Sequence, residues 1–332
     1  MGRCSRFLLY TLILFLWILQ VYATEVDTDE YFKKVLKQEK VLCWEGDIVT
    51  VIYLKRGPLT SLEKKVKLKN RQAIIYQAPP ILANTIFYIE GDKKIIIPPR
   101  KHILVITPFF CNTLIPALLK RNYRISFQEE EIVAKRLCEK VKLIPINKRN
   151  PYSIYWIDKE KKIILKEQKF NAEGKLVKEF FYTFIDFNPS LSSLPQLPYK
   201  KKKVDLTSRF SLCPSIKKAQ EEAHFPIITP SFLPEGYELQ KVIIHKLPKF
   251  TISQTVYSNG FNYFYIFQYF RGLESCSCIK NRSILRIFQE SIGPQFLYSH
   301  LYKWTTGNFH LFIIAVLTKE DIKKIVESGS SI

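Results

Sequence analysis

The stretch YSIYWIDKEKKIILKEQKFNAEGKLVKEFFYTFIDF, residues 152–187, decides the fold. Asp158-Lys159-Glu160-Lys161 and Asn171-Ala172-Glu173-Gly174 interrupt it with residue types that form tight turns. The three runs they separate have strand length and strand composition, so the segment reads as an antiparallel meander. Side chains alternate across a strand. In the last run that puts Phe180, Tyr182 and Phe184 on one face and Phe181, Ile185 and Phe187 on the other. A sheet with one solvated face alternates apolar with polar residues, and this strand does not. Something must cover its second face, a helix layer or an apolar ligand. Phe180, Tyr182 and Phe184 are the candidate lining of an apolar cavity.

Upstream, Asp27 or Thr28 caps a helix through Tyr31, Phe32, Val35 and Leu36, which share one face, and Glu30 fits the capping pattern. Glu45-Gly46 turns the chain into a β-branched strand, Asp47 to Leu54. Further strands are expected at Gln72 to Tyr76, Thr85 to Glu90 and Lys94 to Ile97, with a hairpin turn at Gly91-Asp92. Asn112 or Thr113 caps a short helix through Leu114, Leu118 and Leu119, with Pro116 tolerated in its first turn. Residues 126–145 carry two signals. Ser126 and Glu129 form a capping box, whereas Lys140-Val141-Lys142-Leu143 alternates strictly as a strand does.

Downstream, Pro189, Pro195 and Pro198 oppose strand pairing and are followed by Lys200-Lys201-Lys202-Lys203. Residues 189–204 therefore read as a linker between two domains, 24–188 and 205–332. Ser215 then opens a short helix ending near His224. Asn259-Gly260 is a hairpin signal, because these residues adopt the positive φ angles such turns require. Phe261 to Phe270 is again aromatic on both faces, Phe309 to Leu317 is a buried strand, and Thr318-Lys319-Glu320-Asp321 caps a last helix, Ile322 to Ser328.

Residues 1–23 have the order of a secretory signal: Arg3 and Arg6, the apolar stretch Phe7 to Val21, then the small-x-small site Val21-Tyr22-Ala23. The alternative is an uncleaved anchor, since about 15 apolar residues sit in a bilayer without spanning it comfortably. Thr24, not a Cys, directly follows Ala23, so a lipid-modified N-terminus is not expected. Cleavage leaves 49 basic against 30 acidic residues, a net charge of +19. In an exported protein such a charge points away from nucleic acid and toward acidic lipid headgroups, a membrane surface or an acidic peptide. The bland alternative is a Lys-rich composition serving solubility. Six Cys remain, at 43, 111, 138, 213, 276 and 278, a number that permits three disulfides outside the cytoplasm. Cys276-Ser277-Cys278 has no accompanying His at metal-ligand spacing, so structural disulfides or plain thiols are expected there.

Catalytic patterns are missing. The five His, at 102, 224, 245, 300 and 310, include no pair at zinc-ligand spacing, and there is no Gly-x-Ser-x-Gly elbow and no phosphate-binding glycine loop. The sequence points to a binding protein without catalytic residues, metal or cofactor.

Several segments together resemble the MucB/RseB regulators of envelope stress. They are Trp44-Glu45-Gly46-Asp47-Ile48-Val49; Leu118 to Tyr123; Tyr152 to Asp158 followed by Glu173 to Val177; Ser231 to Leu239; Tyr257 to Phe261; and Trp304 to Ser328. The resemblance implies an α+β architecture: a curved antiparallel half-barrel sheet with helices on its concave side, as in the lipoprotein carrier LolA, followed by a smaller β-rich α+β domain. It favours strand for residues 126–145, with a turn at Val133-Ala134-Lys135-Arg136 where Lys135 replaces the family's Gly. It also implies a periplasmic regulator of a sigma-E type factor. Such a protein binds the extracytoplasmic segment of an anti-sigma factor and releases it when a lipid or lipoprotein acyl chain occupies the cavity. The alternative is a lipid or lipoprotein carrier of the envelope without signalling. The mature chain is expected to begin at Thr24; intact-mass measurement of protein from the envelope fraction checks this, and a dominant species retaining Met1 would mean an anchor.

Overall fold

The computed structural model describes residues 27–98, 103–108, 114–197, 202–248, 250–270 and 295–329. The expected signal segment, the Asn112 and Thr113 caps, Cys111, Cys276 and Cys278 lie outside the described residues.

Helix α1 is Thr28–Val41, and Asp27 is its cap, accepting the Asp29 N–H at 2.9 Å. Phe32 and Val35 are buried while Lys33–Asp29 and Lys34–Glu30 pair on the wet side. At the other end the Lys67 ammonium donates to the carbonyls of Lys40 (2.8 Å) and Leu42 (2.9 Å). A cation is favoured there because the last carbonyls of a helix lack intrahelical partners and carry its negative dipole end.

The first sheet is built from β1 Trp44–Leu54, β2 Gly57–Leu68, β3 Arg71–Ala78, β4 Ile86–Glu90, β5 Lys93–Ile97, β6 Ile103–Pro108, then, after helix α2 Pro116–Asn122, β7 Tyr123–Phe127, β8 Glu131–Val133, β9 Arg136–Pro145, β10 Tyr152–Asp158, β11 Ile164–Phe170, β12 Leu176–Asp186 and β13 Lys202–Asp205. It is open, in the order β13-β6-β5-β4-β3-β2-β1-β12-β11-β10-β9-β7, with β8 also on β9. Every pairing is antiparallel except β13 on β6. α1 and α2 lie on one face, where Phe32, Val35 and Leu119 pack with Tyr123, Val141, Leu143, Tyr155 and Ile157.

Residues 126–145 are strand, and the β8–β9 turn holds without glycine: Ala134 and Lys135 take φ of 49° and 62°. α2 starts at Pro116 with Ile115 as its cap residue, so the short helix begins later than the polar residues before it suggest. Strands β2 and β6 are additions to the sequence reading. β2 buries only Val66 outright, and a strand of lysines and one buried valine has no period to read. β13 falls at the end of the expected linker and pairs with β6. The prolines do not prevent this, because the last of them, Pro198, precedes the strand by four residues.

The second sheet has the order β14-β15-β16-β17-β19-β18. Its strands are β14 Phe210–Cys213, β15 Glu238–Lys246, β16 Thr251–Ser258, β17 Tyr263–Phe270, β18 His300–Thr306 and β19 Phe309–Ala315. Helix α3, Ile216–Ala223, is capped by Ser215 as read from sequence. Short α4 is Gln295–Tyr298, and α5 is Lys319–Ser328, capped by Thr318, which accepts the Asp321 N–H at 3.2 Å. One face packs on α5 through Ile322 and Ile325; the other carries Tyr265, Phe267, Tyr269 and Phe312 with Ile115 and Phe296 against it. Both faces are covered, which accounts for the aromatic residues on both sides of β17.

The two sheets meet at the β16–β17 hairpin. Only Gly260 of the Asn-Gly pair has positive φ, at 103°, and Ser258 pairs with Tyr263 across a loop of residues 259–262. The loop is buried. Asn122 donates its side-chain amide to the carbonyls of Gly236 and Asn259, each at 2.9 Å, and the Asn259 amide donates to the Tyr123 hydroxyl at 2.7 Å. Ile115 N–H donates to the Gly260 carbonyl at 2.7 Å, and Phe261 joins the α1–α2 core, edge-on to Tyr123. A Cβ on Gly260 would stand 2.6 Å from the Leu119 nitrogen; one on Gly174, also at positive φ, would meet nothing within 4 Å. Gly174→Ala is expected to cost about 1 kcal/mol from backbone strain alone, and Gly260→Ala about 3 kcal/mol, from that strain plus overpacking. Urea unfolding of both variants checks the difference; equal costs would mean that the hairpin tip is not seated.

Candidate functional site

A cavity of about 120 Å³ opens on the helix-covered face of the first sheet, under the C-terminal half of α1. Trp44 of β1, Phe180 and Tyr182 of β12, and Ile163 and Ile164 at the start of β11 form its apolar wall. Glu39 of α1, Lys65 and Lys67 of β2 and Gln72 of β3 form the polar one. Sequence reasoning missed all of the polar set: Lys65 and Lys67 come from a strand without apolar period, Glu39 from the solvent side of a helix pattern, and Gln72 from the polar first position of an expected strand.

The cavity contains Phe180 and Tyr182 of the expected trio but not Phe184. Strand pairing gives the reason. Ile48 pairs with Tyr182 while its neighbour Asp47 pairs with Phe184, so Thr183 is an extra residue in β12. Such a bulge reverses the alternation beyond it. Ile185 and Phe187 then join Tyr182, and Phe184 is 53% exposed. Glycine is needed opposite the bulge: a Cβ on Gly46 would meet the Phe184 carbonyl at 2.5 Å and the Tyr182 ring at 2.8 Å.

The electrostatics of the site are those of a half-dry pocket. Trp44 meets Tyr182 edge to face, with ring centres 5.8 Å apart, and the Lys65 ammonium sits 5.0 Å from the Trp44 ring centre. Burial raises the Glu39 carboxyl above its ordinary value, against the pull of Lys65 and the Ile164 N–H. Burial also holds the Tyr182 phenol well above its ordinary range. Further along the same face, Glu167 accepts from Ser153 and lies 3.7 Å from Lys178, whose ammonium stands over Phe180. The second sheet reaches this face too. α4 packs against β1, and burial near Glu167 raises the Tyr298 phenol.

Lys169 on β11 is the buried cation of the seam, 7% exposed, with its ammonium 4.4 Å from the Phe261 ring centre. Among the described residues no group of three or more His, Cys, Asp or Glu is placed to hold a metal. Cys43, Cys138 and Cys213 are free thiols, so the three-disulfide framework that the cysteine count permits does not form. Cys138 is inert, its thiol pushed up to about 12 by burial.

Comparison with solved structures places the whole arrangement. MucB in complex with MucA(peri) superposes with a TM-score of 0.60 at 13% identity, over 91% of this chain and 98% of that one. MucB alone gives 0.57 at 13% identity over 92% and 98%, and the Pseudomonas aeruginosa MucA/MucB complex 0.60 at 12% identity over 90% and 97%. The chain therefore has the MucB fold, with both sheets, as the sequence resemblance led one to expect. A family model described as that of an uncharacterized protein matches residues 116–187, from α2 to the end of the meander. No curated protein matches the sequence.

Burial depresses the Lys169 ammonium to about 8, against the pull of Glu167. At pH 7 the folded and the unfolded chain both hold this proton, and the folded one bears the cost of burying it. Between about 8 and the ordinary lysine value of 10.5 the unfolded chain binds more protons, so this contribution to stability rises with pH. The wild type is expected to gain about 3 kcal/mol across that window relative to Lys169→Met. Chemical denaturation at several pH values checks it; a constant difference would mean that the Lys169 ammonium is in water.

Proposed function

We propose that this chain is a periplasmic, non-enzymatic regulator of an envelope-stress sigma factor. It binds the extracytoplasmic segment of an anti-sigma factor and senses the acyl chain of a lipid or lipoprotein through the α1-covered face of the first sheet. The observation that carries the reading is the MucB fold over nine-tenths of the chain, with both sheets in one arrangement, since MucB has been solved holding MucA(peri). The division into domains 24–188 and 205–332 belongs to the same proposal. Among the described residues no helix is long and apolar enough to cross a membrane.

The cavity supports the lipid half of the reading by chemistry more than by size. An aromatic wall beside Lys65 and Lys67 suits an amphiphile with an anionic head. Burying about 12 methylenes at ~0.8 kcal/mol each yields close to 10 kcal/mol before ordering costs. A volume of about 120 Å³ is near that of an engineered hole that takes a benzene ring, far short of such a chain. Admitting one requires α1 or the second sheet to move off the face. If that movement alters the surface that the partner grips, lipid and partner must weaken each other by the same factor.

Titration of the purified mature chain with the extracytoplasmic segment of an anti-sigma factor from the same organism, with and without a bound fatty-acyl probe, tests this. Native mass spectrometry records the probe. Partner binding in the micromolar range or tighter, weakened at least tenfold by the probe, is expected. Uptake of the probe with partner affinity unchanged would favour the carrier, and no uptake would leave the cavity closed by its own side chains.

A further inference from the structure

On β11, Lys169 lies between two cross-strand neighbours, Ser153 of β10 and Lys178 of β12. Glu167, two residues along the same strand, pairs across with Tyr155 and Phe180. Its carboxylate accepts from the Ser153 hydroxyl at 3.3 Å and lies 3.7 Å from the Lys178 ammonium. Two cations thus share one acid, and Lys178 holds it. Among the described residues the Lys169 ammonium makes no hydrogen bond and no ion pair; its contact is the Phe261 ring, 4.4 Å away at the centre. A ring face attracts a cation, yet an ammonium has three N–H groups to place, and buried polar groups are nearly always hydrogen-bonded. Lys169 is only 7% exposed, so water does not make up the difference.

Phe180 joins this row to the cavity, since it lines the one and pairs with Glu167 in the other. Lys169 stands two strand residues, about 7 Å, further along the face. In the cavity itself Lys67 has no N–H to give: its ammonium already donates to the carbonyls of Lys40, Leu42 and Lys69. The row meets solvent at Lys178, whose side chain is 23% exposed. We propose that Lys169 is the seat of an anionic group, a carboxylate or a phosphate, which enters beside Lys178 and sets its oxygens on the ammonium. An anion there neutralises the extra cation, and hydrogen bonds from an ammonium to a charged oxygen are the strong kind. The proposal rests on the reading of this face as an acyl sensor only for what the anion is attached to, namely the head of a ligand whose apolar part reaches the cavity.

The surroundings make the Lys169 proton a reporter. Burial holds the ammonium at about 8, with Glu167 pulling it up and Lys178 pushing it down. The phenols of Tyr155 on β10 and Tyr298 on α4, beside Glu167, and of Tyr123, edge-on to Phe261, are all raised and stay neutral. Ser153 and Phe261 do not titrate. A bound anion favours the charged amine. Binding at pH 8 therefore draws in about half a proton, binding at pH 6 draws in none, and affinity falls as the pH rises through 8.

The test uses the full mature chain with octanoate, octyl phosphate, octanol and inorganic phosphate, read by titration calorimetry in buffers of different ionisation enthalpy. Octanoate should bind at least tenfold more tightly than octanol, with the proton uptake at pH 8 and its absence at pH 6. Lys169→Met replaces a costly buried charge by an apolar chain, and circular dichroism checks that it folds. It should lose at least tenfold for octanoate, keep octanol and take up no proton. Octyl phosphate binding more tightly than inorganic phosphate assigns the anion to a lipid head, and equal binding assigns it to free phosphate. No binding of any of the anions, octanoate and octanol binding alike, or binding without proton uptake would overturn the proposal. So would loss of octanoate in Lys65→Met but not in Lys169→Met, which would put the head beside Trp44. A chain that binds octanoate through Lys169 but no anti-sigma segment keeps this site and loses its proposed function.

Discussion

The side-chain amide of Asn122 closes α2 and holds the molecule together. It donates to two carbonyls at once, those of Gly236 just before β15 and of Asn259 in the β16–β17 loop, both on the second sheet's side of the seam. A buried amide that lost these bonds would bear a desolvation cost of about 1–3 kcal/mol. Its position also fixes everything around it. Tyr123, the next residue, opens β7, accepts from Asn259 and donates to the Pro151 carbonyl. Phe261 enters the α1 core only because Asn259 and Gly260 carry the hairpin tip there. Rim contacts of Arg121 with Glu238 and of Asn147 with Glu235 decorate the same seam. They are exposed, and exposed ion pairs contribute little.

How much of this was legible in the sequence follows from how local each signal is. The meander read correctly because its turns are marked by Asn, Asp and Gly and its strands by period. Asp27 as the cap of α1 and Thr318 as the cap of α5 read correctly for the same reason. β2 did not, because its partner β1 specifies it along residues 44–54 and its own residues bury little. The site was half legible. Phe180 and Tyr182 line the pocket described above, but the bulge at Thr183 that turns Phe184 outward has no marker of its own in β12, only Gly46 across the ladder. The Asn-Gly hairpin was visible as a turn and invisible as a plug, since what it docks against lies about 140 residues away.

The basic composition has a partial structural answer as well. Trp156 on β10 lies between the Lys140 and Lys166 ammonium groups, 5.1 and 4.5 Å from its ring centre, and Lys142 stands over Tyr152. Lysine stems cover apolar surface while their heads stay wet, and each cation over a ring adds a fraction of a kcal/mol or more. These lysines serve as the cover that the two-faced aromatic strands of the meander require. A helix layer is thus needed on one face only, and part of the net positive charge has a use inside the fold, apart from any acidic partner.

The same accounting bears on how a small cavity could report on a large ligand. Glu39, Lys65 and Trp44 leave about 120 Å³ between α1 and the sheet, and packed interiors do not stretch continuously to admit more. Room for a chain has to come from separating elements. The elements over this face are α1, held at its end by Lys67, and the second sheet's α4 and hairpin tip, held by Asn122 and by a lysine that is costly to bury. Of the two, the second is the poorer anchor, because Lys169 opposes what Asn122 and Phe261 favour. In the proposed reading, a ligand that opened the face would strain the seam held by Asn122 and Lys169 as well as α1, and so couple the first sheet to the second.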